Sequence, residues 1–339
     1  MALRTTLPSV LVSLMVWLLM PFQNTLAQHA AEPHGNQHFH PSFSNEKSAP
    51  SCGFDEWKAE MRNINPDFDQ WYENYKKHVI PSLLEAQAAK PTARGVNTLY
   101  IPVVVHVIHR PGEEIGEGQN LTTELIQGQL ETLNEDFAAL NAKFSETPDR
   151  WKASVGNPDI QFCLASIDPE GNATDGITRD EFIVTGATRQ TSNIGREIQP
   201  ATIWDPKKYF NIWTLPIPGT SAGGGVTGYA TFPTIGVSNS NTDGAVLDYR
   251  WTGPGAGTLT HEAGHYLGLP HTFDGDSCND DDGIDDTPNQ GNDTNDTRRF
   301  NCNQGFPIGP MTCDGVEHMY INYMDYSPGS CVTSFTNGQ

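Results

Sequence analysis

His261-Glu262-Ala263-Gly264-His265-Tyr266-Leu267-Gly268-Leu269-Pro270-His271 decides how this chain is read. The stretch has the form H-E-x-x-H-x-x-G-x-x-H. An α-helix turns once in about 3.6 residues, so His261 and His265 stand one above the other on one face and can reach a single ion. Glu262, one residue on, projects beside that ion rather than into its ligand shell. Gly268 can adopt a backbone conformation closed to residues with a Cβ, which lets the chain leave the helix and bring His271 round as a third ligand. Three protein nitrogens leave a position for water, the mark of a catalytic zinc; a structural zinc normally takes four protein ligands. A bare H-E-x-x-H can arise by accident of helix composition, but the added glycine and third histidine are further independent constraints.

The length of 339 residues accommodates one large domain or two smaller ones. With 20 basic and 41 acidic residues the chain carries a formal charge of −21, which argues against a nucleic-acid binder and against an anionic membrane surface. Arg4, the apolar run Val10 to Met20 and Thr25-Leu26-Ala27 form a secretory signal over residues 1–27, with cleavage expected after Ala27 and an uncleaved anchor as the alternative. No other segment is long and apolar enough to span a bilayer, so a soluble, secreted, extracellular protein is expected. Residues 28–50 are polar and without period, as a disordered leader would be. The segment Lys90 to Gly95 reads as a linker, dividing a leader over 28–94 from a main domain over 95–339.

Helical spacing of Phe68, Tyr72, Tyr75 and Val79 predicts a helix from Pro66 to about Lys90, with Pro81 as a possible kink. The β-branched run Tyr100–Ile108 predicts a buried strand, and Ile126, Leu130, Leu133 and Phe137 mark one face of a helix over Leu121–Leu140. Further strands are expected at Ile160–Ala165, Tyr209–Leu215 and Ala245–Tyr249. The histidine helix should begin near Thr258, capped by Thr258 or Thr260. Elements alternate early and give way to loops after His271. The fold class expected is therefore α/β (α+β): a mixed twisted sheet with a backing helix and the active-site helix above, and an irregular, loop-rich lower half.

Nine aspartates and no Lys or Arg lie between Thr272 and Thr297. Charge this dense favours either a solvated acidic loop or a hard cation such as calcium, for which Asp280, Asp281, Asp282, Asp285, Asp286 and Thr287 offer oxygens. Of the six cysteines, Cys278, Cys302, Cys313 and Cys331 cluster late, while Cys52 and Cys163 stand apart. Six cysteines allow 15 pairings, and spacing alone selects none of them. Cys163 sits in an apolar strand and reads as an inert buried thiol, with a Cys52–Cys163 disulfide as the rival. Asn322-Tyr323-Met324-Asp325-Tyr326 places a methionine and, two residues on, a phenol able to hydrogen-bond a developing oxyanion.

Ile101-Pro102-Val103-Val104-Val105-His106-Val107, Phe162-Cys163-Leu164-Ala165, Gly228-Tyr229-Ala230-Thr231-Phe232-Pro233, Thr258 to Phe273, Asp285-Asp286-Thr287-Pro288, Asn322 to Ser327 and Ser334 to Gln339 together resemble the pappalysin family of metzincin zinc metalloproteases, over about residues 98–339. The resemblance implies a secreted zinc endopeptidase acting on protein or peptide substrates. One zinc would be held by His261, His265 and His271, Glu262 would be the general base, Tyr326 would stabilise the transition state, and Met324 would form the Met-turn. It also implies one or two structural calcium ions at a loop containing Asp282, Asp286 and Thr287, and disulfides Cys278–Cys313 and Cys302–Cys331. Gly228, Tyr229, Ala230, Thr231 and Phe232 would be the edge strand holding an extended substrate. Family zymogens imply that 28–94 is an inhibitory pro-segment whose Cys52 occupies the open zinc position until cleavage near Arg94. Ser330 stands where relatives selecting Arg or Lys carry an acid, and the family fold continues past Gln339 into a C-terminal helix. The alternative function is a non-catalytic, calcium-dependent extracellular binding protein that retains a zinc site. Sequons at Asn120, Asn172, Asn292 and Asn295 are candidate glycan sites.

Overall fold

A computed structural model describes residues 51–82, 98–220, 225–233, 240–274, 281–290, 300–309, 311–312 and 315–339. The expected signal, the polar leader over 28–50 and the linker at 90–95 lie outside these residues. From Ser51 the chain forms a short strand β1 (Ser51–Cys52) and a helix α1 (Phe54–Ile64). Neither was legible in the sequence. Phe54, Trp57 and Met61 put one apolar stripe of α1 inward. Asn65, extended at φ −126°, ends the helix just before Pro66, where the helical region is disfavoured.

The predicted helix after Pro66 is present as α2 (Phe68–Asn74), continued by a wider π-type turn over Tyr75–Val79. Pro81 follows this turn. Proline lacks the N–H and crowds the carbonyl four residues back, which accounts for the loosened helix before it.

The central strand is β2 (Leu99–His109), close to the predicted bounds. Its neighbours are β3 (Ile160–Leu164), β4 (Ile177–Glu181) and β5 (Phe210–Leu215), then β6 (Val226–Ala230) and β7 (Ala245–Asp248). The order across the sheet is β1-β6-β7-β5-β2-β3, with β4 sharing the β3 side of β2. All pairings are parallel except β6 with β7, so the sheet is mixed as expected. The strand β4 was not foreseen: Thr178, Arg179, Asp180 and Glu181 carry no apolar alternation.

Both faces of the sheet are covered. Val103, Val105 and Val107 point to the backing helix α3 (Thr123–Phe137), whose Ile126, Leu130, Leu133 and Phe137 meet them. Thr122 caps α3 by accepting from the Leu125 N–H at 3.3 Å. On the opposite face Ile108, Trp213 and Val246 pack on Ile194 and Ile198. The histidine helix α4 (Thr258–Tyr266) lies on the α3 side. Gln129 of α3 fixes its entry, accepting from the Gly253 N–H at 2.8 Å and donating to the Ala256 carbonyl at 3.0 Å. The expected threonine cap is not made: Gly257 is the N-cap residue, without a side-chain cap. Among the described residues no helix is long and apolar enough to cross a membrane.

Candidate active site

Gly268 has φ +101°, the left-handed conformation expected of it, and the chain turns there to carry His271 back over α4. The Nε2 atoms of His265 and His261 then lie 3.1 Å apart, those of His265 and His271 3.1 Å, and those of His271 and His261 3.3 Å. His261 Nδ1 donates to the Tyr323 carbonyl at 2.6 Å and His265 Nδ1 to the Leu269 carbonyl at 2.8 Å. A carbonyl only accepts, so these two rings carry their proton on Nδ1 and turn Nε2 lone pairs toward each other. Burial pulls His261 down to about 4 and, followed by the neighbouring His261 charge, takes His265 well below the usual histidine range. Converging lone pairs on neutral buried rings need a cation between them. Ligands about 2.0–2.1 Å from a tetrahedral zinc stand about 3.3–3.4 Å apart, so this donor set fits zinc.

Cys52 completes the cluster. Its Sγ and the three histidine nitrogens all lie within 4.8 Å of one another. The thiol also donates to Glu262 Oε2 at 3.4 Å. Burial, then the Glu262 charge, pushes it well above the usual thiol range. Cys52 is brought there by β1, which lies along β6 in the register Ser51↔Val226 and Cys52↔Gly228. The Gly53 N–H continues this pairing to the Gly228 carbonyl at 2.8 Å. Gly228 must be glycine: a Cβ there would lie 2.9 Å from Glu262 Cγ and 2.8 Å from Thr258 Cγ2. The strand β6 overlaps the expected stretch 228–232 but begins and ends two residues earlier. Thr231 lies past its end and donates to the Thr242 carbonyl at 3.1 Å. Phe232 is buried against Phe54, Trp57, Tyr72 and Tyr75.

Met324, the expected Met-turn residue, is buried against α4, where a Cβ on Gly264 would collide with its sulfur. The Tyr326 ring packs edge-on to His271 at 4.6 Å, and its hydroxyl donates to the Cys52 carbonyl at 3.3 Å and Asp55 Oδ2 at 3.4 Å. Asp325 is fixed by His318 Nε2 at 3.0 Å and by the Ser327 N–H at 2.8 Å.

Cys302 and Cys331 are joined in a disulfide, while Cys278 and Cys313 lie outside the described residues. Cys52 and Cys163 are both free thiols, which excludes a bond between them; Cys163 is half-buried rather than buried, because its strand stands at the sheet's edge. The three calcium candidates have these hydrogen-bond partners. Thr287 donates to both oxygens of buried Asp282 at 2.8 Å. Asp286 instead accepts from Thr336 Oγ1 at 2.6 Å and the Gly338 N–H at 2.9 Å.

Three groups that the sequence reading passed over shape the site. Asp136 stands on the apolar face of α3, where a carboxylate is out of place and could have been noticed. It accepts from Tyr323 Oη at 2.5 Å and from Thr260 Oγ1 at 2.6 Å. It thus braces both the residue before His261 and the residue whose carbonyl holds His261. Asp274, just past the third histidine, is buried between a lysine of α1 and one of the turn after α2, with Lys58 Nζ at 2.5 Å and Lys76 Nζ at 3.1 Å. Arg189 approaches the edge strand from the loop after β4.

Burial raises Asp136 from 3.8 to about 6, against the hydrogen bonds from Thr260 and Tyr323. The folded state thus binds this proton more tightly than the unfolded chain. The resulting stability is full below about pH 3.8 and is lost as pH rises through about 6. Asp136→Asn should remove this term. Urea unfolding from pH 4 to 7 should give variant and wild-type curves that diverge by on the order of 3 kcal/mol, the wild type losing ground as pH rises. Parallel curves would show that Asp136 is not so perturbed.

The fold and site define a metzincin-type metalloendopeptidase, and comparison with known proteins agrees. The sequence profile of a peptidase family described as pregnancy-associated plasma protein-A matches residues 195–339. An extracellular metalloprotease of Verticillium alfalfae is 30% identical over 291 residues, covering 79% of this chain and 84% of that protein. One from Pyricularia oryzae is 30% identical, covering 77% and 80%. Among solved structures, Tannerella forsythia mature mirolysin in complex with a cleaved peptide is similar at a TM-score of 0.58 and 33% identity, covering 72% of this chain and 89% of that one. A promirolysin variant from the same organism is similar at 0.63 and 30%, covering 86% and 91%. The chain belongs to the pregnancy-associated plasma protein-A (pappalysin) family of metzincin metalloproteases. A non-catalytic binding protein is accordingly set aside.

Proposed function

We propose that this protein is a secreted zinc endopeptidase made as a zymogen, with residues 1–27 a signal, 28–94 an inhibitory pro-segment and 95–339 the catalytic domain. The observation that carries the reading is the position of Cys52. Its sulfur stands among the three histidine nitrogens while its backbone takes the β6 edge that a substrate strand would use. The similarity to promirolysin, which covers 86% of this chain, supports the same reading.

Zinc held by His261, His265 and His271 would supply a Lewis acid that acidifies water and polarises the scissile carbonyl. The chain's own groups do the rest. The β6 backbone aligns the peptide beside Glu262. Glu262 takes the proton of the attacking water and delivers it to the leaving amine. Tyr326, freed from the Cys52 carbonyl and Asp55, donates its hydroxyl to the carbonyl oxygen as charge gathers there. For calcium, Asp282 with Thr287 is the better-placed part of the expected set, since a cation there would offset the burial that raises Asp282. Asp286 is already satisfied elsewhere.

The test compares the uncut chain with the same chain cut between residues 83 and 97, on casein, with and without a zinc chelator. The cut form should hydrolyse casein only while zinc is present, and the uncut form should be latent. Equal rates before and after cutting would end the zymogen reading, and chelator-resistant hydrolysis would end the zinc reading.

A further inference from the structure

Among the described residues, Arg189 is the one guanidinium that both stacks on an edge-strand ring and meets the leader. Its Cζ stands 4.8 Å from the centroid of Tyr229, the residue after Gly228 in β6. Its Nη2 is 3.0 Å from Glu60 Oε2 on α1. Yet its side chain is only 10% exposed, and neither Nε nor Nη2 makes a well-aligned hydrogen bond among the described residues. The Glu60 contact is an ion pair that meets one corner of the fork and leaves other donors unspent.

That arrangement is costly for a merely structural arginine. Buried donors are normally satisfied, and an enclosed charged donor left unmet is the more expensive kind. A planar guanidinium fixed on an aromatic face presents parallel N–H groups that match both oxygens of a carboxylate. The location is equally specific. Gly53, whose N–H pairs with the Gly228 carbonyl, passes so close that a Cβ on it would lie 3.0 Å from Tyr229 Cβ. Any peptide on the β6 edge with its reacting carbonyl at Glu262 therefore runs past the Tyr229–Arg189 shelf.

We propose that Arg189, held on Tyr229, forms a subsite for an acidic substrate side chain, Asp or Glu, close to the scissile bond. Glu60 of the leader is its stand-in before release. The inference rests on the leader reading above: removal of α1 takes away Glu60 and opens the fork.

The experiment uses the leader-free protein and end-blocked fluorogenic peptides, each carrying Glu, Gln or Lys at one position from three before to three after the cleaved bond. Blocked ends separate a side-chain carboxylate from a C-terminal one, which a parallel set with free C-termini would reveal. At one position kcat/KM for Glu should exceed that for Gln about tenfold, chiefly through KM, with Lys poorest. Arg189→Ala should bring that ratio to about one, and Arg189→Glu should invert the order in favour of Lys. Arg189→Lys, which keeps the charge over the ring, should retain part of the preference and serves if the other two unfold. Zinc content and thermal melting are measured on each variant. Identical Glu:Gln ratios in wild type and variants at every position, or a preference confined to free C-termini, would overturn the proposal. The uncut chain is assayed in parallel. Activity there without cutting would sink the leader reading while leaving the ratios interpretable.

Discussion

Glu262→Ala is expected to keep the metal and lose the reaction. Glu262 is buried at 1% exposure and approaches the cluster from the same helix that carries His261 and His265, yet none of the Nε2 contacts runs through it. Zinc stoichiometry in the cut variant should therefore stay near wild type. A positioned general base contributes about 10²–10⁴-fold to a rate. In the proposed mechanism Glu262 acts twice, on the attacking water and on the leaving amine, so kcat should fall toward the larger figure. Alanine also removes the carbons that Gly228 approaches, so packing is not tightened by the change. Zinc analysis beside casein hydrolysis reads both quantities. A variant that turned over at the wild-type rate would remove Glu262 from the mechanism. One that lost its zinc would make it a structural support for the ligands instead.

The second large effect belongs to the proposed leader. Lys58 and Lys76 converge on the two oxygens of Asp274, whose side chain is 2% exposed. Burial by itself lowers both lysines, but Asp274, helped by Asp55 at Lys58 and Glu73 at Lys76, overturns that and raises them. Both lysines are therefore charged, and the ammonium groups also lie over the Phe54 and Tyr72 rings. Removing the cations from a buried ion pair costs about 3–5 kcal/mol, because the abandoned charge stays desolvated. Lys58→Ala with Lys76→Ala should weaken leader docking by about 10²–10³-fold. The uncut double variant should then hydrolyse casein although Cys52 is intact. Adding Asp274→Asn removes the stranded charge and should restore part of the latency. If the double variant stayed as latent as the wild type, the Cys52 contact and the β1 pairing would hold the leader without the clamp.

How much of this was legible beforehand depended on how local the signal was. The central strand, the backing helix and the histidine helix were found because periodicity acts over one turn or one pleat. Helix α1 and strand β1 were missed because their order comes from what they cover. Two residues cannot be a strand alone, and β1 exists only through its pairing with Val226 and Gly228. The partners of the acidic residues were hidden for the converse reason: density of aspartate says nothing about direction, and Asp286 accepts from Thr336 and Gly338.

The amino-acid order alone determined the meeting of the three histidines, the carboxylate beside them and the glycine that turns His271 back to the other two, because helix pitch and the freedom of a residue without a Cβ are properties of a few adjacent residues. Only the tertiary structure decided that Asp136 braces His261, that Lys58 and Lys76 close on Asp274, and that Arg189 waits beside Tyr229. Those contacts join residues far apart in the chain. What fixes them is burial and charge pairing across packed elements, which no short window of sequence contains.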